Sequence, residues 1–257
     1  MAQKTKKRND ALFVASLGRG MLILEAFHSR QKSLGLTEIS EITGLNRSAV
    51  QRFLHTWEQL GYLAKDQTSK RFTLTPRVMA LGYDFLKGNR LVEIATPFLL
   101  EARKHTGNSI YLGTLDGLDL IYLIRLPQRF LLFESTLPGR RIPAFCGARA
   151  ILAHMDDKDV LEIMERSDQQ PFTPHTVIGT EANMELVQRA RDKGYCVSAQ
   201  EFLAGEIAVS AAVTDTHGTP LAAVYISAKH SEWTEERVEQ ELAPVALEVA
   251  GLIGSQF

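Results

Sequence analysis

The feature that most constrains the fold is a stretch in which two helix patterns are followed by two strand patterns. The helix patterns cover residues 37–43 and 47–60, with Gly44 between them. Glycine readily adopts the left-handed backbone that a sharp turn between helices requires. Residues 62–65 and 71–74 are rich in strand-forming side chains and flank a polar turn. This order predicts a helix-turn-helix followed by a β-hairpin wing.

The second helix pattern has two distinct faces at about 100° per residue. Its apolar face is expected to pack on the other helices and consists of Val50, Phe53, Leu54, Trp57 and Leu60. Its polar face is expected to meet DNA and consists of Arg47, Ser48, Gln51, Arg52 and His55. An ordinary solvated helix face is the alternative interpretation of these polar side chains.

The polar face carries side chains that can read DNA bases. Arginine bonds to O6 and N7 of guanine, and glutamine pairs with N6 and N7 of adenine. We expect Asn46 to cap the helix, because its side chain can satisfy a free backbone N–H. Thr37 and Asn46 are predicted to lie at the DNA surface. Lys70 and Arg71, on the hairpin, are predicted to contact phosphates, unless the hairpin is merely solvated.

Charge is distributed unevenly along the chain. Residues 1–85 carry a net charge of +6 and the remainder carries −7, which together give the −1 of the whole chain. A basic head on an acidic body indicates that only the head binds a polyanion. The N-terminal arm, with Lys6, Lys7 and Arg8, is expected to follow phosphates or enter a minor groove. A disordered, solubilising tail is the alternative.

Two further helices complete the predicted head and linker. The first covers residues 16–28, where we expect Leu17, Met21, Leu24 and Phe27 to form the core-facing stripe. Pro76 is well placed to begin a second helix. The apolar stripe of that helix favours a dimer, since repressor dimers place two recognition helices one DNA turn apart. We predict a DNA-binding domain over residues 1–75, a linker helix over 76–90 and an effector-binding and oligomerisation domain over 91–257.

The body alternates between strand and helix patterns. Predicted strands cover residues 109–115, 120–126, 130–135, 195–200, 207–213 and 221–227, and predicted helices cover 91–106, 148–155, 158–166, 181–193 and 234–253. The residues around Pro138 and Pro143 are expected to form a loop. The hairpin-like connections favour an α+β domain with a largely antiparallel sheet.

Other functional classes are disfavoured by composition. Cys146 and Cys196 are far apart in sequence and lack metal-ligand spacing, so we expect reduced thiols and neither a metal nor a cofactor. Apolar runs fall short of the roughly 18 residues needed to cross a bilayer. The basic N-terminus lacks the apolar region of a signal peptide. We therefore expect a cytoplasmic protein that does not bind membranes.

Several separated motifs resemble the isocitrate-lyase-regulator (IclR) family of bacterial transcription factors. The head contributes SLGRGMLILEAF, LTEISEITGLNRSAVQRFLHTWEQLGYL and RFTLTPRVMALG, and the body contributes GRRIPAFCGARAILA, RDKGYCVSAQEFLAGEIAVSAAV and GTPLAAVYISA. The resemblance implies a winged-helix head and a GAF-like effector-binding domain. It also implies a homodimer or homotetramer that binds a double-stranded DNA operator, and control by a small-molecule effector, an organic or aromatic acid. We expect a repressor.

The same resemblance implies which positions line the effector site. They are Leu131, Glu134, Ile142, Cys146, Gly147, Ala148, Ser198, Glu206, Ala208, Tyr225 and Ser227. Two departures from the family pattern bear on the ligand. The segment between Pro143 and Arg149 is two residues shorter, and Glu134 and Glu206 stand where apolar residues are expected. A carboxylate that points inward would disfavour a simple anion.

Two other functions compete with regulation. Cys146 could be an enzyme nucleophile with His154 or His175 as its base, although the spacing shows neither an activated thiolate nor an oriented base. An architectural DNA-binding protein without a ligand is opposed by the large body with its own core. We therefore expect no enzymatic activity and no catalytic residue.

Overall fold

A computed structural model describes residues 12–28, 33–128 and 137–257. The chain divides into two compact units that meet in the sequence between Phe85 and Leu86. The first unit contains the helix-turn-helix and the wing. The second contains the large sheet. Each unit is described by itself below.

The head consists of short helices and one hairpin. Its elements are α1 (Ala15–Glu25) with a 3-10 turn (Ala26–His28), α2 (Leu36–Thr43), α3 (Arg47–Gln59), β1 (Leu63–Lys65) and β2 (Phe72–Leu74). Gly44 ends α2 in the left-handed conformation, at φ 69°. β1 and β2 pair antiparallel. The predicted helix-turn-helix and hairpin are confirmed.

The predicted stripe of the first helix is confirmed only in part, since Phe27 is buried and Leu24 packs against the core of the head. Leu17 is 63% exposed and Met21 is 44% exposed, whereas Ile23 is fully buried. Gly20 is also buried, and Trp57 Nε1 of α3 donates to its carbonyl at 2.9 Å. Apolar side chains surround α1 on several sides, so helical spacing alone did not identify the face that packs.

Helix α4 (Arg77–Lys87) follows the wing and has no buried residue. Leu81 and Phe85, part of its predicted apolar stripe, are 62% and 55% exposed. None of the helices in the described ranges is long and apolar enough to span a bilayer.

The body is built on a curled antiparallel sheet with helices on both faces. Its strands are β3 (Ser109–Asp116), β4 (Asp119–Leu126), β5 (Arg141–Pro143), β6 (Tyr195–Ala199), β7 (Glu206–Thr214) and β8 (Pro220–Lys229). Its helices are α5 (Arg90–Thr106), α6 (Ala144–Gly147), α7 (Arg149–Leu152), α8 (Asp157–Arg166), α9 (Thr180–Lys193), α10 (Glu235–Arg237) and α11 (Ala243–Gly254). Within the described residues the strand order is β5-β4-β3-β8-β7-β6.

The two faces of this sheet have different roles. Alternate residues of β7 and β8, among them Val209 and Val224, pack with α5 and α11 into one apolar core. The opposite face, which includes Tyr111 and Tyr225, packs against the layer formed by α6, α7, α8 and α9. Because side chains alternate along a strand, β3 and β8 contribute to both cores.

Several sequence-based expectations for the body are corrected. Arg141–Pro143, expected in a loop, is an edge strand, where proline is tolerated because its missing N–H faces no partner. The predicted helix 148–155 is shorter, since α7 covers only Arg149–Leu152, and a second short helix, α6, precedes it across a break at Ala148. The closing helix contains a π turn over Val238–Leu242. The predicted strand 130–135 lies outside the described residues.

The two glycines near the end of α11 provide a matched test of packing. A Cβ on Gly254 would lie 2.2 Å from the Thr214 carbonyl oxygen, whereas a Cβ on Gly251 would meet nothing within 4 Å. We expect Gly254→Ala to destabilise the protein by about 1–3 kcal/mol through overpacking. Gly251→Ala should stabilise it by up to about 1 kcal/mol through helix propensity. Urea unfolding of both variants measures the difference, and equal effects would contradict the close contact.

Candidate DNA-binding and effector sites

Helix α3 presents its polar face to solvent. Asn46 caps its N-terminus, with the side-chain oxygen accepting from the Ala49 N–H at 2.8 Å. Val50 and Leu54 are buried in the head. The polar side chains of the predicted DNA surface are exposed; they are Thr37, Asn46, Arg47, Ser48, Gln51, Arg52 and His55. Leu60, expected on the apolar face, is 49% exposed because the helix ends at Gln59.

The two predicted phosphate contacts of the wing have different surroundings. Lys70 is exposed, in the left-handed region at φ 57°. The Arg71 guanidinium bonds to Ser33 and forms a salt bridge of 2.8 Å with Glu38. The backbone N–H of Gly35 and the Arg71 guanidinium together lower the pKa of Glu38. Arg71 therefore ties the base of the wing to α2. Lys6, Lys7 and Arg8 lie outside the described residues.

One cavity of the body lies between the sheet and the layer of α6 and α7. Ser198 and Ala208 face it from adjacent strands, paired across β6 and β7. Tyr225 of β8 lies in the next row, opposite Ser210. Gly147 belongs to the opposite wall, and a Cβ there would approach Ile142 Cγ2 to 2.9 Å. The cavity has a volume of about 60 Å³.

Most of the predicted effector positions come together here. Those that line the cavity are Ile142, Cys146, Gly147, Ser198, Glu206, Ala208 and Tyr225. Ser227 lines a neighbouring cavity instead. Ala148 lines neither cavity, since it ends α6 and is fully buried in the helical layer. Leu131 and Glu134 lie outside the described residues.

The sequence analysis missed several residues of the wall, namely Tyr122, Arg149, Cys196, Gln200, Phe202, Leu203 and Ser210. Strand alternation could have identified two of them. Cys196 is two residues from Ser198, and Ser210 is two residues from Ala208, so each shares a face with a predicted position. Arg149 was overlooked because a charged residue in a helical motif normally faces solvent.

Arg149 forms a buried ion pair beneath the cavity. Its guanidinium donates to both carboxylate oxygens of Glu201, at 2.6 and 2.7 Å, and to Asn183 Oδ1 at 2.8 Å. Burial by itself would lower the pKa of Arg149, but the hydrogen bonds and the charge of Glu201 outweigh it and raise that pKa. Glu201 therefore holds Arg149, and a ligand finds that cation already neutralised.

Residues 172–176 hold the loop that carries Glu201 in place. Thr173 Oγ1 donates to the Gln200 carbonyl and Thr176 Oγ1 donates to the Glu201 carbonyl, both at 2.6 Å. The Phe172 and Phe202 rings pack with their centroids 4.8 Å apart. These contacts hold Gln200 in the left-handed region, at φ 58°, which residues other than glycine rarely adopt.

The acid–base properties of the cavity do not favour a nucleophile. Burial raises the pKa of the Cys146 thiol to about 12, and the charge of Glu201 makes a smaller contribution in the same direction. Burial also raises the pKa of Cys196 and of Tyr122. A nucleophilic cysteine needs a thiolate. Within the described ranges no group of three His, Cys, Asp or Glu side chains is placed to hold a metal ion.

A second cavity adjoins the first along the same sheet face. Its volume is about 180 Å³. The described residues that line it are Ser109, Tyr111, Arg125, Gln128, Arg140, Leu203, Ala204, Gly205, Glu206, Ser227, Ala228 and Lys229. Leu203 and Glu206 belong to both cavities. The charged side chains in this set are Arg125, Arg140, Lys229 and Glu206, and Lys229 forms a salt bridge of 3.1 Å with Glu232.

A winged helix-turn-helix with an exposed basic face, joined to a domain with cavities that polar and apolar side chains line, defines a DNA-binding regulator with a ligand-sensing body. Family profiles agree with this class. Residues 16–67 match the IclR helix-turn-helix domain, and residues 84–254 match the profile described as bacterial transcriptional regulator IclR C-terminal. The chain belongs to the IclR family of transcriptional regulators.

Individual relatives span nearly the whole chain. The Pca regulon regulatory protein of Pseudomonas putida is 32% identical over 93% of this chain and 82% of its own length. The transcriptional repressor IclR of Escherichia coli is 26% identical over 88% of this chain and 84% of its own.

Solved structures share the fold. A putative transcriptional regulator from Rhodococcus sp. RHA1 is 31% identical, with a TM-score of 0.74 over 94% of this chain and 97% of its own. An IclR homologue from Microbacterium hydrocarbonoxydans, complexed with 4-hydroxybenzoate, is 20% identical, with a TM-score of 0.71 over 93% of this chain and 97% of its own.

The wing offers a test that separates a phosphate contact from a structural contact. We expect Lys70→Ala to reduce the slope of log affinity against log salt by about 1 and to leave thermal stability unchanged. Arg71→Ala should lower the melting temperature of the head, because it removes the bonds to Ser33 and Glu38. Binding titrations at several salt concentrations and thermal melts measure both. An Arg71→Ala protein with unchanged melting would show that the tie to α2 contributes nothing to stability.

The buried ion pair offers a second test. Glu201→Gln should destabilise the body by about 3–5 kcal/mol, because it leaves the Arg149 charge buried without its counter-ion. Its control is Glu162→Gln, which breaks a pair with Arg166 whose side chains are 59% and 58% exposed. That change should cost less than about 1 kcal/mol. Denaturant unfolding compares the two, and similar losses would contradict the importance of burial.

Proposed function

We propose that this regulator binds a pseudo-palindromic operator as a homodimer or homotetramer and acts as a repressor in the cytoplasm. The exposed polar face of α3 carries the proposal. Arg47 and Gln51 lie in its first two turns, the part of a recognition helix that reaches base edges. A duplex on this face would meet two guanidiniums, an amide, a hydroxyl and an imidazole.

The oligomer is supported by apolar surface in the head and in helix α4. Leu81 and Phe85 of α4 are exposed, as are Leu17 and Met21 of α1. Burial of such side chains against a second copy would stabilise a dimer by roughly 25 cal/mol per Å². A dimer would also present two copies of α3 to the two half-sites of an operator.

The effector is proposed to be a small organic or aromatic acid held in the cavities of the body. The cavities bring together most of the positions expected from the family. The structure of a homologue with 4-hydroxybenzoate bound has the same fold, and the name of the Escherichia coli relative describes a repressor. Effector binding would shift the population between states that differ in operator affinity.

Substitution on α3 tests sequence-specific binding. An operator can be selected from random DNA and its affinity compared with that of a scrambled duplex by fluorescence anisotropy. We expect Arg47→Ala and Gln51→Ala each to weaken operator binding by about 5- to 150-fold, the equivalent of 1–3 kcal/mol for a lost bidentate base contact. Binding to scrambled DNA should change much less.

The control is Glu58→Ala, near the opposite end of α3, which should leave the ratio of the two affinities unchanged. Equal losses on operator and scrambled DNA would refute base reading by this helix. Repeating the titrations with benzoate and its hydroxylated derivatives measures the response to acids.

A further inference from the structure

The Phe202 side chain is a part of the first cavity's wall that lies close to the surface. It lines the cavity and is half-buried. The residues that follow it, Leu203, Ala204 and Gly205, are all exposed. Outward rotation of the Phe202 ring would therefore carry it toward this exposed segment and away from the core of the body.

The backbone on both sides of Phe202 is held by hydrogen bonds. On one side, Thr176 Oγ1 donates to the carbonyl of Glu201 at 2.6 Å, and the Glu201 side chain belongs to the buried ion pair. On the other side, the His230 N–H donates to the Gly205 carbonyl at 2.9 Å. Motion in this loop is therefore confined to Phe202 and the two residues between these fixed points.

Two side chains hold the Phe202 ring against the cavity. The Phe172 ring packs on it with the centroids 4.8 Å apart and the planes at 51°. The guanidinium carbon of Arg140 lies 4.9 Å from the Phe202 centroid. An aromatic pair shifts an equilibrium by roughly 2- to 12-fold. Contacts of this strength favour the closed position and leave the open position accessible.

The closed cavity is too small for an aromatic ligand. Its volume of about 60 Å³ is well below the roughly 150 Å³ of a cavity that holds a benzene ring. Two other large side chains of the wall are fixed, since Tyr225 donates to the Gly147 carbonyl at 2.7 Å and Arg149 is bound to Glu201. Phe202 is held only by ring contacts of the kind described above, and it can move at lower cost.

We propose that Phe202 is a gate that sets the size of the ligand admitted to the first cavity, and that Phe172 is a positioning residue that keeps this gate closed. Rotation of Phe202 away from Phe172 and Arg140 enlarges the cavity and joins it to solvent. The inference rests on the proposed function, because an effector that contains a ring needs the enlarged cavity. Phe172 itself does not belong to the described lining of either cavity.

The two thiols of the cavity wall report the position of the gate without any effector. Cys146 and Cys196 both line the first cavity, and Cys146 is only 6% exposed. Full-length protein is treated with methyl methanethiosulfonate or with benzyl methanethiosulfonate, and peptide mass spectrometry follows each thiol separately. Phe172→Ala should increase the rate at which the benzyl reagent labels Cys146 by about threefold or more, because the loss of the ring pair populates the open position.

A matched control and a double substitution separate the gate from a general loss of packing. Leu100 lies on α5, across the sheet from the first cavity, and is 40% exposed, the same fraction as Phe172. Leu100→Ala should leave the labelling rate within about 1.5-fold of the unmodified protein. Phe202→Ala removes the gate, so adding Phe172→Ala to it should accelerate labelling no further, as expected for residues that act through one contact.

The dependence of labelling on urea distinguishes gate motion from unfolding. Labelling through a local motion changes little with urea, whereas labelling through global unfolding rises steeply because much more surface is exposed. For the Phe172→Ala protein we expect a rate of Cys146 labelling that stays nearly constant at urea concentrations below the unfolding transition.

The inference is wrong if Phe172→Ala labels Cys146 no faster than Leu100→Ala does, or if the acceleration persists in the Phe202→Ala background. It is also wrong if the benzyl reagent labels Cys146 of the Phe202→Ala protein only at urea concentrations that unfold it. Operator titrations with acids test the proposed function separately. Acids that alter operator affinity while Phe172→Ala leaves labelling unchanged would refute the gate and keep the sensing of acids. The opposite pair of results would keep the gate and refute the sensing of acids.

Discussion

The ion pair between Arg149 and Glu201 is the interaction on which the wall of the first cavity depends. It joins α7 to the loop between β6 and β7, and that loop leads directly into Glu206. The pair is almost completely buried, with side chains 1% and 7% exposed. Two desolvated charges are stable only if their hydrogen bonds are nearly complete, and here Asn183 and Ser198 supply further bonds. The geometry of the cavity thus depends on groups that a ligand does not need to touch.

The same ion pair also determines the net charge of the first cavity. A buried arginine that faced an empty cavity would attract any small anion. Because both carboxylate oxygens of Glu201 bond to it, the Arg149 guanidinium contributes to the shape of the cavity wall but adds little net charge there. The carboxylate of Glu206 then becomes the dominant charge in the first cavity.

Prediction from the sequence succeeded where a residue pattern favoured one structure clearly over the others. The 13 residues of α3 have an apolar side and a polar side, so its buried and exposed faces were predicted correctly. In the first helix apolar residues occupy several sides, and the predicted stripe included the buried Phe27 but missed Gly20 and Ile23. Edge strand β5 was taken for a loop because Pro143 follows another proline and a glycine. The ion pair could not be predicted, since Arg149 and Glu201 are 52 positions apart.

The near-neutral charge of the chain as a whole does not oppose DNA binding. Charges in solution are screened beyond about 8 Å at physiological ionic strength, so the total charge of a chain says little about the potential at any one of its surfaces. What a phosphate experiences is local: Arg47 and Arg52 on the helix and Lys70 on the wing, all exposed. The acidic residues of the body are therefore compatible with DNA binding by the head. Charge distribution along the sequence, and not the total, is the quantity that indicated the function of the head.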